Sequence, residues 1–130
     1  MTDEALIAQA RAMLSRAYAP YSGYRVGAAL FGADGCVYTG CNIESAAYSA
    51  TICAERAAVC QAVSAGCRKF RRLAVISSGE AMCTPCGVCR QLLYEFSDGL
   101  VVLCCKGSGA YEAKPIEALL PFGFGPASME

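Results

Sequence analysis

The chain has 130 residues, of which 55% are hydrophobic and 17% are charged, and this is the size and composition of one globular domain with its own core. Eleven basic residues balance eleven acidic ones, so the chain as a whole lacks the positive charge typical of proteins that bind nucleic acid or anionic membranes, and we expect a small partner instead. Histidine is absent, which excludes every mechanism that needs an imidazole base.

The lack of a recognisable targeting signal and the cysteine usage predict a cytoplasmic protein. No apolar run reaches the roughly 18 residues that a membrane span needs, and Asp3 and Glu4 near the start are unlike a signal peptide. The ten cysteines do not indicate a disulfide scaffold, because such proteins are small, secreted and poor in core residues. We therefore expect reduced thiols, and any metal site must use sulfur or carboxylate ligands.

The first half of the chain predicts one helix and a hairpin. Leu6, Ala10, Met13 and Leu14 recur at helical spacing, which predicts an amphipathic helix over residues 3–18 that ends before Pro20. An apolar strand over residues 26–31, a turn of the Asp-Gly type and a partner strand over residues 36–41 follow.

The second half predicts alternating helices and strands after a loop over residues 42–50. Thr51 is a candidate cap for a helix that contains Cys53 in its first turn, and Thr84-Pro85 is a candidate start for the next helix. The predicted helices cover residues 52–65, 85–97 and 115–120, and the predicted strands cover residues 73–77, 100–105 and 111–114. The segment over residues 121–126 is too rich in proline and glycine to be regular. This order predicts a single α/β domain over residues 1–130, a three-layer α/β/α sandwich with a mixed sheet of about five strands.

Two short segments carry the chemistry: Cys53-Ala54-Glu55-Arg56 and Pro85-Cys86-Gly87-Val88-Cys89. Together they offer three thiolates and one carboxylate. Three protein ligands on zinc leave the fourth tetrahedral position for water, as in a catalytic site. Glu55 is well placed to handle the protons of that water. The pattern predicts a zinc hydrolase or deaminase with one Zn²⁺ per chain, held by Cys53, Cys86 and Cys89.

Arg56 and Cys83 raise two further questions about this site. Three thiolates and Zn²⁺ sum to one negative charge, which makes a bound water less acidic, and Arg56 is a candidate to offset that charge. Cys83 is a candidate fourth ligand that would close a structural Cys₄ site. It precedes Thr84 and Pro85, however, so we expect it to lie off the helix face that carries Cys86 and Cys89.

Ordered matches along nearly the whole chain resemble the zinc-dependent cytidine deaminases of the small homotetrameric class. The matching segments are Tyr18-Ala-Pro-Tyr-Ser22, Val26-Gly-Ala-Ala-Leu30, Gly40-Cys-Asn-Ile-Glu44, Ala47-Tyr48, Cys53-Ala-Glu-Arg56, Pro85-Cys-Gly-Val-Cys-Arg-Gln91 and Leu119-Leu-Pro121. The resemblance implies a free nucleoside as substrate. It also implies zinc-activated hydroxide attack at C4 of cytosine, with Glu55 relaying protons to N3 and then to the departing amine.

The resemblance also implies roles for residues outside the two metal segments. Asn42 and Glu44 would hydrogen-bond the ribose 3′-hydroxyl, and Ala54 with Glu55 would read the pyrimidine edge. Phe124 would cover the base, and Ala46 and Tyr48 would be contributed across an interface of the homotetramer, whose active sites are shared between subunits. Tyr24 is a candidate substrate contact that departs from the family, since phenylalanine is usual there.

Three other functions remain open at this point. A deaminase of aminonucleoside antibiotics would share the zinc chemistry, although the intact Asn42-x-Glu44 favours an ordinary ribose. A polynucleotide deaminase would need a basic groove, which the zero net charge disfavours. A zinc module without enzymatic activity would bind the metal and turn nothing over.

Overall fold

A computed structural model describes all of residues 1–130 and places one five-stranded sheet between helices. The strands are β1 (Val26–Gly32), β2 (Val37–Cys41), β3 (Phe70–Ser77), β4 (Ser97–Cys105) and β5 (Tyr111–Pro115). The α-helices are α1 (Asp3–Ala12), α2 (Ala54–Ser64), α3 (Gly87–Glu95) and α4 (Ile116–Leu119), and 3₁₀ turns cover Met13–Arg16 and Pro126–Met129.

The sheet is mixed, and its strand order is β2-β1-β3-β4-β5. β1 pairs antiparallel with both β2 and β3, and β5 pairs antiparallel with β4. β3 and β4 pair parallel, because the chain returns between them through α3. The predicted mixed sheet of about five strands is confirmed.

Alternate side chains of β3 point to opposite faces and define two cores. Leu73 and Val75 pack in the core that α2, α3 and α4 cover, whereas Ala74 and Ile76 pack against α1. Every one of these four side chains is fully buried. The predicted three-layer α/β/α arrangement is therefore confirmed. No helix has the length and apolar character needed to span a membrane.

The first helix is shorter than its apolar pattern predicts. The prediction over residues 3–18 is wrong at its end, because α1 stops at Ala12 and tightens into the 3₁₀ turn. Tyr18 then leaves the helical path and donates its backbone N–H to the carbonyl of Asn42 at 3.0 Å, in a bridge with the segment before α2. This long-range pairing prevents α1 from continuing as far as Pro20.

The parallel strands are longer than predicted, and the helix that precedes each of them is shorter. β3 begins at Phe70 rather than 73, and β4 begins at Ser97 rather than 100, because Phe70 and Ser97 pair across a bulge. Gly99 adopts a positive φ of 66°, and Asp98 and Gly99 therefore remain within β4. The helices predicted over 52–65 and 85–97 run from Ala54 to Ser64 and from Gly87 to Glu95.

A glycine sets the distance between β2 and α2. A Cβ atom at Gly40 would lie 2.4 Å from the Ala54 carbonyl oxygen and 2.6 Å from the Ala58 nitrogen. The first turn of α2 therefore rests directly on the backbone of β2. This close approach fixes the helix that carries Cys53 and Glu55.

Candidate active site and metal centre

Three cysteine sulfurs meet between the N-terminal ends of α2 and α3. The ligand atoms of Cys53, Cys86 and Cys89 all lie within 4.8 Å of one another. The Sγ atoms of Cys53 and Cys86 are 3.8 Å apart. Bonds of about 2.3 Å in a tetrahedral zinc site place sulfur ligands about 3.8 Å apart, so this donor set fits zinc.

Cys53 and Cys86 are the N-cap residues of their helices, which differs from the sequence prediction. We expected Cys53 inside the first turn of its helix and Pro85 as the first helical residue, but α2 begins at Ala54 and α3 at Gly87. The hydroxyl of the expected cap Thr51 instead accepts a hydrogen bond from the Ser45 backbone. Neither N-cap thiol caps the backbone N–H groups of its helix, so both sulfurs can face a metal.

Cys83 lies outside the group of three sulfurs, as its place before Pro85 predicts. Its side chain is buried in the core under the sheet face that α2 and α3 cover. Burial raises the pKa of the Cys83 thiol to about 12, which keeps it neutral. Cys83 lines the same cavity as Cys53 and Cys86, but its sulfur does not belong to the group of three that lie within ligand distance of one another, so the structure does not form a closed four-cysteine site.

Arg56 is bonded to the edge of the sulfur cluster. The Nη2 atom of Arg56 donates to the Thr51 carbonyl at 3.3 Å and to the Cys53 Sγ at 3.5 Å. The pKa of Cys53 is lowered to about 5 by a hydrogen bond from the Cys89 thiol and by Arg56. The pKa of Cys89 is raised correspondingly, because its proton is held by Cys53. The positive guanidinium thus favours thiolate at the metal site.

Glu55 is the buried acid of the site. It is the second residue of α2 and is only 4% exposed. Burial raises the pKa of its carboxyl group to about 7, with the nearby Cys53 acting in the same direction. A carboxyl group whose pKa lies near neutral pH can both take up and release a proton, as a general acid–base requires.

One cavity of about 200 Å³ is lined by two of the three cysteines of the cluster and by Glu55. Its wall includes Cys53, Cys86, Glu55, Tyr24 and Asn42. Asn42 is buried and holds the chain before β1: its Oδ1 accepts from the Val26 N–H at 2.9 Å, and its Nδ2 donates to the Tyr24 carbonyl at 2.8 Å. Asn42 therefore shapes the wall that Tyr24 forms.

The sequence matches the family model described as the cytidine and deoxycytidylate deaminase zinc-binding region over residues 1–105. The chain belongs to this deaminase family.

Similar proteins cover this deaminase almost from end to end. The cytidine deaminase of Sporosarcina psychrophila is 46% identical over 95% of this chain and 92% of its own length. The crystal structure of cytidine deaminase from Burkholderia pseudomallei superposes with a TM-score of 0.90 at 42% identity, over 95% of this chain and 100% of that one. Cytidine deaminase from Mycobacterium tuberculosis superposes with a TM-score of 0.84 at 36% identity, over 96% and 99% of the two chains.

Several predicted contact residues of the deaminase do not reach the cavity within one chain. Glu44 lines a neighbouring hollow, where its carboxylate accepts from the Ser22 hydroxyl and from the backbone N–H groups of Tyr21, at 2.9 Å, and Ser22, at 3.1 Å. These hydrogen bonds lower the pKa of Glu44, that from the Ser22 side chain most strongly. Ala46, Tyr48 and Phe124 are all exposed and do not line the cavity.

Other residues of the cavity wall were not predicted to line the site, although Thr51 and Thr84 were expected at helix starts. Thr51, Ile52 and Thr84 line it because they immediately precede the metal ligands. Ser77, the buried last residue of β3, lies beside Tyr24, whose pKa is raised by burial while a hydrogen bond with Ser77 acts against the rise. Proximity to the two metal segments was a usable signal for the first three, but Ser77 reaches the site only through the sheet.

Proposed function

We propose that this chain is a zinc-dependent cytidine deaminase that converts cytidine and 2′-deoxycytidine to uridine and 2′-deoxyuridine. Water supplies the new oxygen at C4, and the exocyclic amine leaves as ammonia. The observation that carries the proposal is the buried Glu55 in one cavity with the sulfurs of Cys53 and Cys86. Family membership over most of the chain supports the same chemistry.

The metal site and Glu55 have separate roles in the proposed reaction. Cys53, Cys86 and Cys89 would hold the zinc ion, which would supply a Lewis acid that lowers the pKa of a water molecule toward neutral. Glu55 accepts the proton released in the attack and delivers protons to N3 and then to the departing amine. Its pKa of about 7 suits both directions of transfer. Arg56 keeps Cys53 in its thiolate form by hydrogen bonding to it.

Substrate recognition is assigned to the rest of the wall. Ala54 and Glu55 read the pyrimidine edge, and Tyr24 contributes its half-exposed ring to the entrance. Asn42 and Glu44 hydrogen-bond the 3′-hydroxyl of the sugar. Glu44 lies in a neighbouring hollow with Thr51, which also lines the metal cavity, so a sugar that extends from one to the other would reach it.

The remaining contacts are assigned to a homotetramer with shared sites. Tyr48 is 73% exposed and holds a φ of 50°, a backbone conformation that is costly for a bulky side chain and is retained where it serves a function. Phe124 is 61% exposed on the C-terminal side of α4. We infer that Ala46, Tyr48 and Phe124 complete the site of a neighbouring subunit. In this proposal residues 1–130 form one catalytic domain that acts in the cytoplasm, and neither nucleic acid nor a membrane is a partner.

A spectrophotometric assay tests the proposal. The loss of cytidine absorbance is followed beside deoxycytidine, free cytosine and CMP, with zinc content measured on the same sample. We expect turnover of the two nucleosides and little of the base or the nucleotide. Failure to convert any of the four at one zinc per chain would refute the enzyme and favour a zinc module without activity.

A further inference from the structure

Arg90 of α3 bridges two backbone carbonyls that belong to different parts of the chain. Its Nε donates to the Pro85 carbonyl at 2.7 Å, and its Nη1 donates to the Leu119 carbonyl at 3.0 Å. No other protein group donates a hydrogen bond to either carbonyl. Pro85 is fully buried, so loss of the guanidinium would leave its carbonyl without a partner.

One end of this bridge lies next to a metal ligand. Pro85 directly precedes Cys86, and the backbone N–H of Arg90 also donates to the Cys86 carbonyl at 2.9 Å. Residues 82–86 have no regular secondary structure, and the Cys86 thiol makes no cap bond to the helix. Arg90 therefore bonds the backbone carbonyls on both sides of the Cys86 Cα atom.

The other end of the bridge lies on the C-terminal segment, which we define as residues 119–125. Leu119 ends α4, and five residues later the Phe124 carbonyl accepts a hydrogen bond from Gln91 Nε2 at 2.7 Å. The ring of Tyr94 lies so close that a Cβ atom at Gly125 would approach it to 2.6 Å. The C-terminal segment thus docks on the same helix that carries Cys89.

The bridge depends on the shape of the arginine side chain and not on an ion pair. No carboxylate lies within 4.0 Å of the Arg90 guanidinium, since the ion pairs of the chain involve Arg71 and Arg72. A planar guanidinium can donate in two fixed directions at once, whereas the lysine ammonium is a point charge on a flexible stem. Lysine at position 90 would keep the charge but not the two-way bridge.

We propose that Arg90 is a positioning residue for the metal ligand Cys86, and that through Arg90 the docking of the C-terminal segment on α3 controls zinc retention. The inference takes the zinc site of the proposed function as given. The measurement that tests the inference is the rate of zinc release. An absence of nucleoside turnover would therefore refute the proposed function but not the role of Arg90. Unchanged zinc release would refute the role of Arg90 but not the proposed function.

The first test compares Arg90→Lys with Arg68→Lys in the full-length, zinc-loaded protein. Arg68 is exposed and makes no hydrogen bond or ion pair, so its variant controls for the loss of a guanidinium. Zinc transfer to a chromogenic chelator is followed in time, and far-ultraviolet circular dichroism verifies the fold. We expect release about 10- to 100-fold faster for Arg90→Lys, because loss of the hydrogen-bond partners of metal ligands typically weakens metal affinity by that factor. Equal release rates in the two folded variants would overturn the proposal.

The second test asks whether the C-terminal segment acts through Arg90. Gly125→Ala pushes the segment away from Tyr94 without changing any residue of the metal site. We expect Gly125→Ala to accelerate zinc release in the parent. It should add little in the Arg90→Lys background, because the hydrogen bonds that connect the C-terminal segment with Pro85 are already lost there. Changes that multiply independently in the double variant would show that the segment and Arg90 act separately and would overturn the coupling.

Discussion

The Sγ atoms of Cys53 and Cys86 lie 3.8 Å apart although 33 positions separate the two residues along the chain. Each is the N-cap of a helix, and the two helices cover the same face of the sheet. The fold therefore brings two thiols to the spacing of a tetrahedral zinc site without using either to cap its helix. The N-terminal ends of α2 and α3 therefore supply the sulfur atoms of the metal site directly.

This geometry predicts opposite outcomes for two cysteine variants. Cys86→Ser removes a sulfur from the cluster and should abolish zinc retention, because two thiolates and water hold the ion poorly. Cys83→Ser changes a buried, neutral thiol outside the cluster and should retain one zinc per chain. Metal analysis after dialysis against a weak chelator measures both. Loss of zinc from Cys83→Ser would favour a closed four-cysteine site.

Glu55→Gln should separate metal binding from turnover. The variant keeps all three sulfurs but lacks a group that can carry a proton, so zinc content should remain and kcat should fall about 10²- to 10⁴-fold. Glu80→Gln is a matched control, since Glu80 is exposed and lies in the loop after β3. Steady-state kinetics with metal analysis of each preparation decides the matter. Undiminished kcat in Glu55→Gln would remove this residue from the mechanism.

Gly40→Ala should destabilise the protein by displacing the helix of the active site. The added Cβ would meet backbone atoms of Ala54 and Ala58 at 2.4 and 2.6 Å, and backbone cannot move aside as a side chain can. We expect a loss of about 1–3 kcal/mol in the free energy of unfolding, as for other overpacked sites. Urea unfolding at fixed zinc concentration measures it.

Gly87→Ala is the control for this comparison. A Cβ atom at Gly87 would meet nothing within 4 Å, and this residue is the first of α3, where alanine is well tolerated. The variant should therefore be as stable as the parent or slightly more stable. Equal stability of Gly40→Ala and Gly87→Ala would mean that α2 can shift freely on β2.

The chemistry of the site was predictable from the sequence because its groups are close neighbours in two short segments. Cys53 is the N-cap and Glu55 the second residue of one helix, and Cys86 and Cys89 are the N-cap and third residue of another, so local spacing already brings each pair together. The helix starts were predicted less well. Thr51 and Pro85 are good local signals, but the Thr51 hydroxyl is used by the Ser45 N–H and the Pro85 carbonyl by Arg90.

Contacts between distant segments could not be read from local patterns. The hydrogen bonds from Tyr21 and Ser22 to Glu44 join residues more than twenty positions apart. The extra residues at the start of β3 and β4 exist because Phe70 and Ser97 pair, and neither segment has an apolar run that would announce it. Such features depend on tertiary pairing, which overrides local propensity.

Mixed oligomers provide a test of shared active sites. If, as proposed, the protein is a homotetramer in which Phe124 completes the site of a neighbour, a Phe124→Ala homotetramer is impaired at every site and a Glu55→Gln homotetramer is inactive at every site. Co-expression of the two variants with different tags yields mixed tetramers, and random assembly gives about a quarter of their sites an intact Glu55 beside an intact Phe124. Activity per chain in the doubly purified tetramers should then exceed the mean of the parents. The control replaces Glu55→Gln by the chain that carries both changes, which cannot supply Phe124 and should give no gain. If the Glu55→Gln mixture also showed no gain, each site would be complete within its own chain.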